Sequence, residues 1–125
     1  MKLLKETINY LMKNSRIANI DVIENHIYYI INDEEKTVGL IQLYNNIPSK
    51  VYAYLDILIF KDYRNKGYGT ESLKLLNEEL IKTKNYKQII YLTNSRIIES
   101  FLINSGFKEN KEYLYKDYYY QKEII

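Results

Sequence analysis

The seven residues Arg64-Asn65-Lys66-Gly67-Tyr68-Gly69-Thr70 carry the clearest chemical signal in the chain. The apolar run Leu55-Asp56-Ile57-Leu58-Ile59-Phe60 precedes them and an amphipathic stretch follows, which is the order strand, turn, helix. Such a turn lines up backbone N–H groups at the positive end of a helix dipole and so forms a cradle for anions, phosphate oxygens above all. Gly67 and Gly69 have no Cβ, tolerate positive φ and let a ligand approach the backbone. The pattern is not a Walker loop, because no Gly-Lys-Ser/Thr follows. Nor is it a dinucleotide fingerprint, because the three-glycine spacing and the acidic residue after a second strand are missing.

Composition closes off other chemistries. The 125 residues contain no cysteine, which removes disulfides, thiolate metal sites and a cysteinyl nucleophile, and no metal is expected. The single histidine, His26, has no partner motif around it, so it reads as a strand residue and a histidine triad is not expected. The 18 basic and 16 acidic residues are interspersed and leave a net charge of +2, which argues against a nucleic-acid partner. No apolar run approaches the roughly 20 residues needed to cross a bilayer, so no membrane partner is expected. The opening MKLLKETINYLMK holds Glu6 and Asn9 within its apolar pattern and has no small-residue cleavage site. It is expected to be a mature helix of a cytoplasmic protein and not a signal. The 15 tyrosines accompany abundant isoleucine, lysine and asparagine, the mark of an AT-biased coding sequence, which weakens a functional reading of the tyrosines.

The elements that must position the turn follow from periodicity. Leu3, Leu4, Ile8, Leu11 and Met12 recur at helical spacing and predict a helix over about residues 2–13, while residues 14–24 are ambiguous. Residues 26–31 and 37–44 are rich in β-formers and flank a polar turn, predicting a hairpin that Pro48 and Ser49 close. Residues 51–60 are expected to be the longest strand, with Ala53, Leu55, Ile57 and Ile59 on a core face and Tyr52, Tyr54, Asp56 and Leu58 on the other. A helix over residues 69–84 packs through Leu73, Leu76 and Leu80, with a Glu78–Lys82 pair on its surface. A short buried strand over residues 88–93 comes next. Asn94 or Ser95 is expected to cap a further helix with Ile97, Ile98, Phe101 and Leu102 facing inward and Gly106 as its left-handed stop. The tail from Phe107 reads as two more strands. Nothing repeats and no linker divides the chain, so residues 1–125 are expected to form one domain.

In this order the residues resemble the GNAT superfamily of acyl-CoA N-acyltransferases. In that family a strand ending Leu-x-Val leads into Arg/Gln-x-x-Gly-x-Gly/Ala, a helix, a strand, and a second helix closing on Gly-Phe. The matching residues are Ile57-Leu58-Ile59, Arg64 through Gly69, and Ser105-Gly106-Phe107, within a match over about Tyr52 to Phe107. The resemblance implies a mixed α/β fold: a central, mostly antiparallel twisted sheet flanked by helices, with a splayed strand pair for acyl-CoA. Because the chain is read as starting in a helix, the family's N-terminal strand is expected to be missing.

The resemblance also implies roles. Backbone groups of Ile57, Leu58 and Ile59 would bond the acyl carbonyl and pantetheine amides, as an added strand pairs with a sheet edge. The N–H groups of Asn65, Lys66, Gly67, Tyr68, Gly69 and Thr70 would hold the pyrophosphate, with Arg64 and Lys66 adding positive charge. Asn94 stands where the family often has an asparagine touching the cofactor. Leu102 stands where many members have a tyrosine that protonates the departing thiolate, so the general acid is open, with Tyr91 and Tyr113 as neighbouring tyrosines. A thiol of pKa about 8.5 can also leave without a dedicated acid. The acceptor needs a base more, since only roughly one alkyl amine in a thousand is neutral at physiological pH. Family members use a carboxylate or an ordered water near the central strand. Asp56 is the only carboxylate in that strand and the candidate base; its other reading is a structural bond to a neighbouring helix. The expected activity is direct transfer of the acetyl group of acetyl-CoA to a primary amine. The alternative is a non-catalytic acyl-CoA-binding module. The acceptor and the oligomeric state, a homodimer included, stay open.

Overall fold

β-Formers alternating with polar residues organise the chain around one sheet. The computed structural model describes residues 1–6, 27–44, 51–83, 86–113 and 116–124. Among them are β1 (Lys2–Glu6), β2 (Ile27–Asp33), β3 (Lys36–Tyr44), β4 (Tyr52–Ile59), α1 (Tyr68–Thr83), β5 (Gln88–Thr93), α2 (Glu99–Asn104), β6 (Lys108–Glu109) and β7 (Tyr118–Glu123), with a 3-10 turn at Lys61–Tyr63. The sheet runs β1-β2-β3-β4-β5-β7-β6. Its neighbours are antiparallel except β4 and β5, the parallel pair whose connection is α1, as a parallel crossover requires.

That parallel pair is short. Tyr52, Ala53 and Tyr54 lie opposite Gln88, Ile89 and Ile90, and pairing stops there. β4 continues to Ile59 with only β3 beside it, and β5 continues to Thr93 with only β7 beside it. The two strands therefore part, and the edge of β4 from Leu55 to Ile59 has no strand partner on that side among the described residues. Close approach of β3 on the other edge depends on Gly39, where an added Cβ would lie 2.3 Å from the Leu58 carbonyl oxygen.

The core lies under α1. Leu73, Leu76 and Leu80, on one stripe of the helix, pack with Ile41, Leu43, Ala53, Leu55 and Ile89 of the sheet and with Leu102, Phe107 and Tyr120. α2 ends in a Schellman turn: Gly106, at φ +94°, and Phe107 donate to the Ile103 and Leu102 carbonyls at 3.0 and 2.9 Å.

Several expectations need correcting. Lys2–Glu6 is a strand, paired antiparallel with β2 from Lys2 opposite Asn32 to Glu6 opposite Tyr28, so the opening strand is present and not missing. Leu3 is half-buried against the core and Leu4 exposed, a period of two that a cross-strand ladder rewards over helix propensity. The rest of the helix predicted there, together with His26, Pro48, Ser49 and the ambiguous residues 14–24, lies outside the described residues. β3, with nine residues, is longer than β4, with eight. The helix after β5 starts at Glu99 with Ile98 as its N-cap and no side-chain cap bond. Ser95 instead accepts from the Ile97 N–H at 3.2 Å, a local turn that competes with capping, and Ile97 is 94% exposed and does not face inward. Among the described residues no helix is long and apolar enough to cross a membrane.

Candidate active site

The turn after β4 is built by local bonds that leave its donors open. Arg64 folds back so that its Nε donates to the Ile59 carbonyl at 2.8 Å, bracing the turn against the strand it leaves. Asn65 (φ +61°) and Gly67 (φ +83°) take the left-handed conformation that reverses the chain. The first helical bond of α1 runs from the Glu71 N–H to the Gly67 carbonyl at 3.1 Å, so the N–H groups of Tyr68, Gly69 and Thr70 have no intrahelical acceptor. Ser72, fully buried, donates from Oγ to the Gly69 carbonyl at 2.8 Å. Tyr68 donates from Oη to Asp33 Oδ2 at 2.8 Å, tying the start of α1 to the tip of the β2–β3 hairpin, and this bond pushes the Tyr68 phenol above its ordinary pKa.

A cavity of about 620 Å³ opens where β4 leaves β5. Ile57, Leu58 and Ile59 form one side, and Arg64, Asn65, Gly67, Tyr68, Gly69 and Thr70 form its floor. Of the residues proposed for a cofactor, Lys66 and Asn94 do not line it. Lys66 is exposed, with its ammonium 5.9 Å from the centre of the Tyr63 ring. Asn94 is exposed in the bend just past β5. The remaining lining is Tyr63, which the sequence does not single out, and Ile97, Ile98 and Phe101, whose helical spacing reads as core.

Asp56 is exposed on β4, opposite Gln42 of β3, and is not part of the cavity lining. Its charge reaches two phenols: burial first, and Asp56 second, push the Tyr44 and Tyr91 pKa values up. Tyr91 is the first residue of β5 beyond its pairing with β4, is half-buried, and lies within electrostatic reach of Asp56. Tyr113 instead packs against Tyr119, with ring centres 4.8 Å apart and planes tilted by 41°. Leu102 is fully buried in the core and offers nothing to the cavity. Among the described residues no group of three or more His, Cys, Asp or Glu could hold a metal ion.

Solved structures share this architecture. The spermidine/spermine N-acetyltransferase SpeG from Vibrio cholerae, solved with manganese ions, superposes with a TM-score of 0.77 at 12% identity, over 98% of this chain and 91% of that one. Tetrahymena GCN5 superposes with a TM-score of 0.69 at 15% identity, over 94% and 81%. The ribosomal alpha-N-protein acetyltransferase RimL in complex with coenzyme A gives 0.66 at 16% identity, over 79% and 62%. Identities this low speak to the fold alone. No curated protein matches the chain by sequence. Residues 4–101, however, match the Acetyltransferase (GNAT) family, and with that span covering most of its length the chain belongs to this family.

Proposed function

We propose that the protein is an N-acetyltransferase that moves the acetyl group of acetyl-CoA directly to a primary amine, with residues 1–125 acting as one domain. The observation that carries this reading is the parting of β4 from β5 directly beside an open glycine turn at a helix start. The residues present fit the co-substrate. An added Cβ at Gly67 would meet no atom within 4 Å, so backbone donors there are accessible to phosphate oxygens. The free edge of β4 suits an extended arm with amide groups, and Ile57, Ile97, Ile98 and Phe101 give that arm apolar walls.

Acetyl-CoA, when bound, supplies an acetyl thioester activated toward amines. The N–H groups of Asn65, Gly67, Tyr68, Gly69 and Thr70 would hold the pyrophosphate, and Arg64 keeps their turn braced on Ile59. The Ile57 and Leu58 backbone orients the arm at the edge of β4, so that proximity supplies much of the rate. Asp56 takes a proton from the incoming ammonium at its carboxylate. Tyr91 carries its Oη proton at neutral pH, as any phenol of ordinary or raised pKa does, and is the donor near Asp56. Lys66 and Asn94, outside the cavity lining, are left out of this assignment. A primary amine is the acceptor chemistry shared by polyamine and protein N-terminus, the acceptors that the names of SpeG and RimL carry.

Calorimetry with acetyl-CoA and with coenzyme A, followed by an amine panel read by mass spectrometry, tests the proposal. Binding together with an acetyl mass gain on at least one amine is the expected result. Binding with no product on any amine would favour a non-catalytic acyl-CoA module, consistent with the buried Leu102. No binding would overturn both readings.

A further inference from the structure

A polar cluster built on Arg96 adjoins the cavity wall. Arg96 Nη1 donates to Glu99 Oε2, and Nη1 and Nη2 reach the two carboxylate oxygens of Glu109 at 3.2 and 3.1 Å. Its guanidinium carbon lies 4.1 Å from the centre of the Tyr118 ring. Tyr120, fully buried, donates from Oη to the same Glu99 oxygen. One guanidinium thus joins the turn before α2, the first turn of α2, β6 and β7. A forked, bidentate contact of this kind fixes orientation as well as distance.

Apart from bonds within residues 93–99, such as Ile97 N–H to Ser95 Oγ at 3.2 Å, and the packing of Ile98, Phe101 and Leu102 on the core, this cluster is what ties the turn to β6 and β7. α2 has six residues and no side-chain N-cap bond, too short to stand on its own helical bonds. Yet this turn and helix bring Ile97, Ile98 and Phe101 to the cavity, facing β4. Ile97 is 94% exposed, so no packing holds it where it stands. We propose that Arg96, Glu99, Glu109 and Tyr120 are positioning residues that set the Ile97–Ile98–Phe101 wall and thereby the affinity for the acyl-CoA arm. The inference rests on the acetyl-CoA reading of the cavity. Arg96 does not line the cavity and acts through its neighbour Ile97, which does.

A double-mutant cycle read by calorimetry with coenzyme A tests it. Arg96→Gln is expected to weaken binding by at least about threefold, and Ile97→Ala to weaken it similarly while leaving the melting temperature unchanged. The double variant should be no weaker than the worse single one, because Arg96 matters only through the wall. Arg96→Lys keeps the charge but loses the fork and is expected to stay weakened. In steady state Arg96→Gln should raise KM for acetyl-CoA with kcat at saturation retained. A folded Arg96→Gln with wild-type affinity, additive losses in the cycle, or full rescue by lysine would each overturn the inference while leaving the cavity reading intact. If Arg96→Gln does not fold, Glu109→Gln replaces it in the same cycle with the same outcomes. A wild-type protein that does not bind coenzyme A would overturn the cavity reading and this inference together.

Discussion

An added Cβ at Gly67 would meet open space, whereas one at Gly69 would fall 3.0 Å from the Phe101 ring. Gly67 therefore faces the cavity, while Gly69 makes room for α2. Gly67→Val should weaken acetyl-CoA binding by at least about tenfold with the fold retained, since a β-branched side chain disfavours φ +83° and fills the approach; unchanged affinity by calorimetry would remove the cradle assignment. Asp56→Asn should leave coenzyme A affinity intact and lower turnover by about 100-fold to 10,000-fold at neutral pH, the loss shrinking as rising pH supplies free amine. Wild-type turnover in that variant would return Asp56 to a structural role. Leu102, fully buried, should cost about 2–5 kcal/mol when cut to alanine yet spare turnover per folded molecule. Tyr91→Phe should instead lower turnover with stability little changed, and equal rates in the two proteins would strip Tyr91 of the acid role.

At the scale of elements, what was legible in the chain was what local chemistry decides. The strand, glycine turn and amphipathic helix around Gly67 announce themselves, because turn residues and a Leu73–Leu76–Leu80 stripe each act within a few residues. β1 was not legible: five residues with two adjacent leucines satisfy either period, and only pairing with β2, more than twenty residues away, decides between them. The start of α2 was misread because Ser95 bonds within its own turn, and the cavity wall was missed because exposure of Ile97 is a tertiary outcome. The link from Tyr68 to Asp33 is of the same kind, joining residues 35 apart. It predicts that Tyr68→Phe lowers the melting temperature and weakens coenzyme A binding, and that Asp33→Asn adds little further in the same protein. Independent, additive losses would mean that the hairpin does not brace the cradle.

At the scale of the whole molecule, the Arg96 cluster ties the C-terminal strands to the helix that walls the cavity, and its titration should be visible in global stability. Burial first, then the bond to Glu99, pushes the Tyr120 phenol from its ordinary 10.0 up to about 12. A raised folded value means that the contribution is fully present below pH 10.0 and is lost as pH rises toward about 12. Glu99 moves the other way: the Tyr120 hydroxyl first, and Arg96 second, hold its carboxyl below the ordinary 4.5. Its contribution is present above pH 4.5 and is lost as pH falls through the depressed folded value. Lys122, lowered by burial from 10.5, opposes part of the alkaline loss, because an unfolded chain that binds the extra proton gains less as pH rises. Other tyrosines with raised values lose stability at high pH as well, so the informative quantity is a difference. Urea midpoints for wild type and Tyr120→Phe, measured from acid to alkaline pH, should run parallel between pH 4.5 and 10.0 and converge on both flanks. Convergence above pH 10.0 reports the lost phenol, and convergence below pH 4.5 reports a Glu99 that has lost its main donor. Two curves parallel across the whole range would show that the hydroxyl carries no linkage to folding, leaving Tyr120 as a packing residue whose ring alone matters.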